Sequence, residues 1–246
     1  MIKQKFLEET LSKKCNRFAF TLAEVLITLG IIGVVAALTL PVMIANHRIK
    51  QYEAGFKKSS SAIMQAGLKT KDTLSINGWN DLKTDDEKKQ YIEEFYKNFN
   101  VIGEVKNTYD NSSYNCNTYS SNCGFVQCEY FLGGKLLKDG SIIHVTSEGN
   151  VCVDTNGYKL PNRAGYEIFV YKIMENTGDI RASRPAKDYD DIYGENDLNW
   201  GYQGSDKYCS KGNLDANYAN GWHCSYYAML DVNPDDDTKG YWESLK

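Results

Sequence analysis

Between Val25 and Asn46 the chain carries no charged residue, a run of 22 positions. As a helix rising 1.5 Å per residue this run is about 33 Å long, enough to cross a hydrocarbon core of ~30 Å. An ordinary secretory signal has an apolar stretch of only about 7–15 residues closed by a small-x-small cleavage site. This run is longer, and no convincing site follows it. An uncleaved signal anchor is the plainest reading, and Glu24 resists it. That carboxylate stands at the head of the run, where entering lipid unpaired costs several kcal/mol, so it calls for a partner.

Charge divides at the same place. Residues 1–19 hold Lys3, Lys5, Lys13, Lys14 and Arg17 against Glu8 and Glu9, a net of +3, and since the whole chain is −4 the remainder is −7. A basic flank before the apolar run and an acidic body after it is the positive-inside arrangement, with the N-terminus cytoplasmic and the body exported. An acidic body also argues against nucleic-acid binding, which needs clustered Lys and Arg to neutralise phosphates. Of the seven cysteines, Cys15 lies in the basic flank, while Cys116, Cys123, Cys128, Cys152, Cys209 and Cys224 lie in the body. Six cysteines in an exported body favour disulfides, and the sequence leaves all of about 15 connectivities open.

The segment Arg17-Phe18-Ala19-Phe20-Thr21-Leu22-Ala23-Glu24-Val25-Leu26 resembles the prepilin processing signal shared by type IV pilins, the pseudopilins of type II secretion and competence pseudopilins. The resemblance implies that a membrane peptidase facing the cytoplasm cuts between Ala19 and Phe20 and N-methylates Phe20. It also implies that Glu24, fifth in the mature chain, answers the N-terminal ammonium of a neighbouring subunit and sets the stagger of assembly. Ala19 stands where the family usually has Gly, a departure that implies slower cleavage at a residue still small. Pro41 falls where many family members have a proline. Together with Gly30 and Gly33 it marks either a weakened stretch that extends in the filament or simply the usual Gly and Pro content of a membrane helix.

Past Pro41, Ile49, Tyr52, Phe56 and Ile63 recur at helical spacing while Arg48, Lys50, Glu53, Lys57 and Lys58 occupy other faces, which predicts one helix from Phe20 to about Leu68. Thr70 to Asn80 reads as a linker. Asp85 to Phe99 reads as a short helix with an acidic first turn and Tyr91, Ile92, Phe95 and Phe99 inward. A polar insert, Asn107 to Asn122, reads as a surface loop. Strands are expected at Phe125–Leu132, Lys135–Leu137, Ser141–Thr146, Asn150–Asp154 and Glu167–Met174, punctuated by Gly133-Gly134, Asp139-Gly140, Glu148-Gly149 and Asn156-Gly157. That is an antiparallel meander set against a helical shaft, an α+β layer, and it is also the head arrangement that the pilin resemblance implies. Arg181 to Trp222 lacks periodicity. A bridge between Cys209 and Cys224 would there resemble the C-terminal disulfide-bounded loop of many type IV pilins.

Asp154 and Asn156, and Asp231, Asn233, Asp235 and Asp237, gather hard oxygen ligands at spacings that calcium tolerates. Some secretion pseudopilins bind calcium in their heads. The competing reading is turns that use Asp and Asn for capping. No other cofactor is suggested: the three histidines are scattered, no CxxC pair exists, and there is no Walker loop, GxSxG elbow, HExxH or dinucleotide fingerprint.

The sequence therefore predicts a cytoplasmic leader (1–19), a transmembrane and assembly helix (20–45), its continuation (46–68) and an extracytoplasmic head (69–246). The expected role is a non-enzymatic filament subunit, a minor pilin or pseudopilin, anchored in the cytoplasmic membrane before assembly. Its implied partners are the prepilin peptidase, an assembly ATPase with its platform protein, and sibling pilins. The rival is a signal-anchored extracytoplasmic enzyme or a ligand-binding or adhesin-like head.

Overall fold

The computed structural model describes residues 21–105, 134–159, 164–183, 209 and 221–245. The strand expected at Phe125–Leu132, the insert Asn107–Asn122, and Ala19, Phe20, Cys116, Cys123 and Cys128 lie outside them. The chain divides into two compact units, Met1–Ala45 and Asn46–Lys246.

In the first unit the described residues are the apolar part of helix α1, which as a whole runs from Leu22 to Leu74, 53 residues. Its large side chains, Leu26, Ile32, Val34, Leu38 and Met43 among them, are exposed on every face. A helix apolar all round has no polar side to show to water, so it suits lipid or the core of an assembly.

In the second unit the same helix is amphipathic. Ile49, Phe56, Ile63, Ala66 and Thr70 form one buried stripe, at the three-to-four-residue spacing of a single helical face. A 3-10 turn at Trp79–Asp81 and helix α2, Asp85–Tyr96, follow. Helix α2 opens on a reciprocal capping box: Thr84 accepts from the Glu87 amide while Glu87 accepts from the Thr84 amide, satisfying two of the helix's orphan donors.

Six strands then form one antiparallel sheet in sequence order: β1 (Val101–Glu104), β2 (Lys135–Leu137), β3 (Ile142–Val145), β4 (Asn150–Asp154), β5 (Ile168–Ile173) and β6 (Ile180–Ala182). Alternation assigns each residue to one of two cores. Val145, Val151, Val153, Phe169, Tyr171 and Ile173 join the shaft stripe and α2 in the larger core. On the other face Ile142, Cys152, Ile168 and Val170 pack with Val105 and Ala164 in a smaller one. Both faces of β4 are thus buried, and all five of its residues are inaccessible. Helix α3 (Cys224–Leu230) packs on β5 and β6, and the short α4 (Tyr241–Ser244) sets Trp242 against Phe56 and Phe169, with ring centroids 5.5 and 6.1 Å away.

The expected linker from Thr70 needs correction, because the helix continues to Leu74. Thr70 is fully buried, and its hydroxyl donates to the Ala66 carbonyl at 2.8 Å. At Gly67 the helix comes so near β6 that a Cβ would lie 2.6 Å from Ile180. Tertiary packing, absent from any local signal, carries the extra turn. Strands β1 and β6 and helices α3 and α4 were not expected from the sequence.

Candidate processing and assembly segment

Glu24 has its partner within its own chain. Thr21 caps α1, its backbone N–H donating to Glu24 Oε2 at 2.8 Å and its hydroxyl to the same oxygen at 2.9 Å. In return the Glu24 amide approaches Thr21 Oγ1 at 3.2 Å. This is the capping box of α2 repeated, Thr21-Leu22-Ala23-Glu24 matching Thr84-Asp85-Asp86-Glu87. The spacing places the acid on the third helical residue, whose side chain reaches back to the cap amide. A carboxylate in the first turn also faces the positive end of the helix dipole. The role of Thr21 is one that the sequence analysis above does not assign, and its signal is the T-x-x-E spacing.

Pro41 lies inside α1. Having no N–H, it leaves the Ala37 carbonyl without its usual i+4 donor. Around Gly30 and Gly33 no atom beyond the chain neighbours and the helix's own adjacent backbone lies within 4 Å of where a Cβ would stand. Thr28 and Thr39 return their hydroxyls to the carbonyls of Val25 and Val35 at 3.0 and 2.9 Å, so neither presents an orphan donor to apolar surroundings.

In the head, Cys209 and Cys224 form a disulfide with Cα atoms 5.0 Å apart, and both are buried. Cys152, buried in β4, is also disulfide-bonded. The bridge to Cys224 ties the start of α3 to the preceding segment, and Ser225 beside it donates to the Val170 carbonyl of β5.

Of the residues read as oxygen ligands, Asp154, Asp231 and Asn233 accept backbone amides. Asp154 Oδ1 accepts the amides of Asn156 and Gly157 at 3.0 and 2.8 Å. Asp231, in the left-handed conformation that ends α3, accepts the Trp242 amide at 3.2 Å, and Asn233 Oδ1 accepts the Asp235 amide at 2.9 Å. Asp237 follows Asp236, whose carboxylate accepts from Thr238 and from Lys239 Nζ at 2.6 Å. Among the described residues no three His, Cys, Asp or Glu side chains converge as a metal-holding group.

Helix α1 is long and apolar enough to cross a membrane, and the stretch that qualifies is wholly unburied. No curated protein and no solved structure matches the chain. A family does: residues 14–40 match the prokaryotic N-terminal methylation motif. That motif spans the Glu24 capping box and most of the uncharged run. It implies processing by a prepilin peptidase and assembly with other pilins in a membrane system, and with the apolar helix it suits anchoring in the inner membrane. The chain therefore carries the cleavage and methylation signal of type IV pilins and pseudopilins, which supports a precursor of that kind.

Proposed function

We propose that this chain is a structural subunit, a minor pilin or pseudopilin, of a type IV pilus or a type II secretion pseudopilus, and that it catalyses no reaction. A prepilin peptidase removes residues 1–19 between Ala19 and Phe20 and methylates the new amino group of Phe20. The subunit then waits in the inner membrane with its N-terminus cytoplasmic and residues 69–246 outside. An assembly ATPase and platform protein draw it into a filament with sibling subunits, the apolar helices inside and the heads outward.

The observation that carries this reading is a coincidence of position. The methylation motif at residues 14–40 has its last charge at Glu24, the acid that opens a helix apolar on all faces. In a mere tether the carboxylate only caps the helix, whereas an assembling subunit also uses it to meet the ammonium of its neighbour. The test is incorporation into sheared filaments. Glu24→Leu is expected to insert in the membrane at the wild-type level and to vanish from the filament fraction. Equal incorporation of the variant would refute the assembly role.

A further inference from the structure

We propose that the first turn of α1 beyond the uncharged run, His47, Arg48, Lys50 and Gln51, is a docking surface for anionic phospholipid head groups on the head side of the bilayer. This rests on the reading that α1 crosses the membrane, and it holds whichever filament the subunit joins.

Ile49 fixes the roll of the helix here, because it is 8% exposed and belongs to the larger core. At about 100° per residue, Arg48 and Lys50 leave the helix on either side of Ile49 while His47 and Gln51 point away from it. All four are exposed, and Gln51 Nε2 lies 3.1 Å from His47 Nε2, one turn back. The turn is thus a solvent-facing fan of donors around a buried pivot.

Charge sets this fan apart from most of the shaft, where Lys69 alone, about 20 residues further from the uncharged run, is likewise without an ion pair among the described residues. Lys57 is paired with Glu53, Lys58 with Asp139 at 2.6 Å and Lys71 with Asp179 at 3.9 Å. Arg48 and Lys50 form no ion pair among the described residues. They are also the first charges after the run that ends at Asn46. With the run filling the hydrocarbon, a rise of 1.5 Å per residue puts both within about 6 Å of its edge, at head-group depth. A guanidinium grips a phosphate with two parallel N–H bonds and a lysine adds a mobile point charge. Each basic residue at an anionic surface gains about 1 kcal/mol, roughly a fivefold preference per residue. The acidic surface of a second copy is the competing occupant. Lipid is favoured because the fan continues directly from the membrane segment.

The test inserts the full chain into preformed phosphatidylcholine vesicles containing phosphatidylglycerol. Spin-labelled phosphatidylglycerol or phosphatidylcholine is then added to the outer leaflet alone, so that the basic N-terminal flank does not contribute. The wild type is expected to immobilise the anionic label several-fold more than the neutral one. In the Arg48→Gln/Lys50→Gln variant that preference falls to near one, and high salt weakens it in the wild type. A wild type without preference, or a variant that keeps it, overturns the proposal and leaves the fan to a neighbouring subunit. Flotation of the chain with the vesicles is scored in parallel, and a chain that does not float overturns the membrane reading itself.

Discussion

The backbone N–H of Thr21 and its hydroxyl both donate to one oxygen of Glu24, at 2.8 and 2.9 Å. The acid that the sequence leaves in need of a partner therefore begins its own helix. Thr21→Val keeps the shape and removes the hydroxyl. It is expected to cost about 1 kcal/mol of local helix stability, the usual value of an N-cap. Hydrogen exchange at the amides of residues 24–27 in detergent micelles should quicken about fivefold, while amides beyond Pro41 stay unchanged.

The shaft is bolted to the sheet by Phe56, Ser60 and Tyr171. Ser60 donates to the Phe56 carbonyl at 2.7 Å and receives the Tyr171 hydroxyl at 2.5 Å. Phe56 itself packs on Phe169, with ring centroids 4.5 Å apart. Phe56→Ala should cost about 3–5 kcal/mol, the range for emptying an aromatic core position. Tyr171→Phe, which loses one hydrogen bond and no volume, should cost about 1 kcal/mol. Urea midpoints of the two variants would rank them, and a costlier Tyr171→Phe would contradict this packing.

The bridge between Cys209 and Cys224 closes a separation of 15 residues. A loop of that size stabilises by about 3 kcal/mol through the unfolded state. The Cys209→Ser/Cys224→Ser variant should lose that amount in denaturant titration and still insert in the membrane. An unchanged midpoint would mean that the loop is held by packing alone.

His223 is buried just before α3, and burial pushes its imidazole down to about 4, against a smaller opposing effect of its hydrogen bond to the Ser183 backbone. An unfolded histidine titrates near ~6.5. Between these values the unfolded chain binds a proton that the folded one refuses. Its contribution to stability is therefore complete above about pH 6.5 and is lost as pH falls toward about 4, by at most about 3 kcal/mol. His223→Gln should flatten that part of the profile relative to wild type, and parallel profiles would show that His223 is not its source.

What the sequence made legible was what local pattern encodes. Lys135–Leu137 and Asn150–Asp154 are strands at the expected boundaries, because Asp139-Gly140, Glu148-Gly149 and Asn156-Gly157 punctuate them. At Gly149 the reason is visible: φ is 80°, and a Cβ would press within 2.9 Å of the Trp79 ring. Ile49, Phe56 and Ile63 are inward as their spacing predicts, while Tyr52 is only half-buried at the edge of the core. What stayed hidden depends on contacts distant in sequence. Strand β1 is four residues with exposed Val101 and Ile102 and an irregular register at Gly103, so it offers no alternation to read. Strand β6 and helix α4 are three and four residues long and are held by Tyr171, Ile173, Phe56 and Phe169 from elsewhere in the chain. At Glu24 both the acid and its cap are local pattern, since Thr21-Leu22-Ala23-Glu24 is an ordinary helix-start signature.

The central claim is tested most directly by intact mass and N-terminal sequencing of the protein recovered from membranes, with and without the prepilin peptidase. The account predicts a chain beginning at methylated Phe20 when the peptidase is present and at Met1 when it is absent. A chain beginning at Met1 in both would contradict it, leaving α1 as a simple anchor and Glu24 as no more than a helix cap.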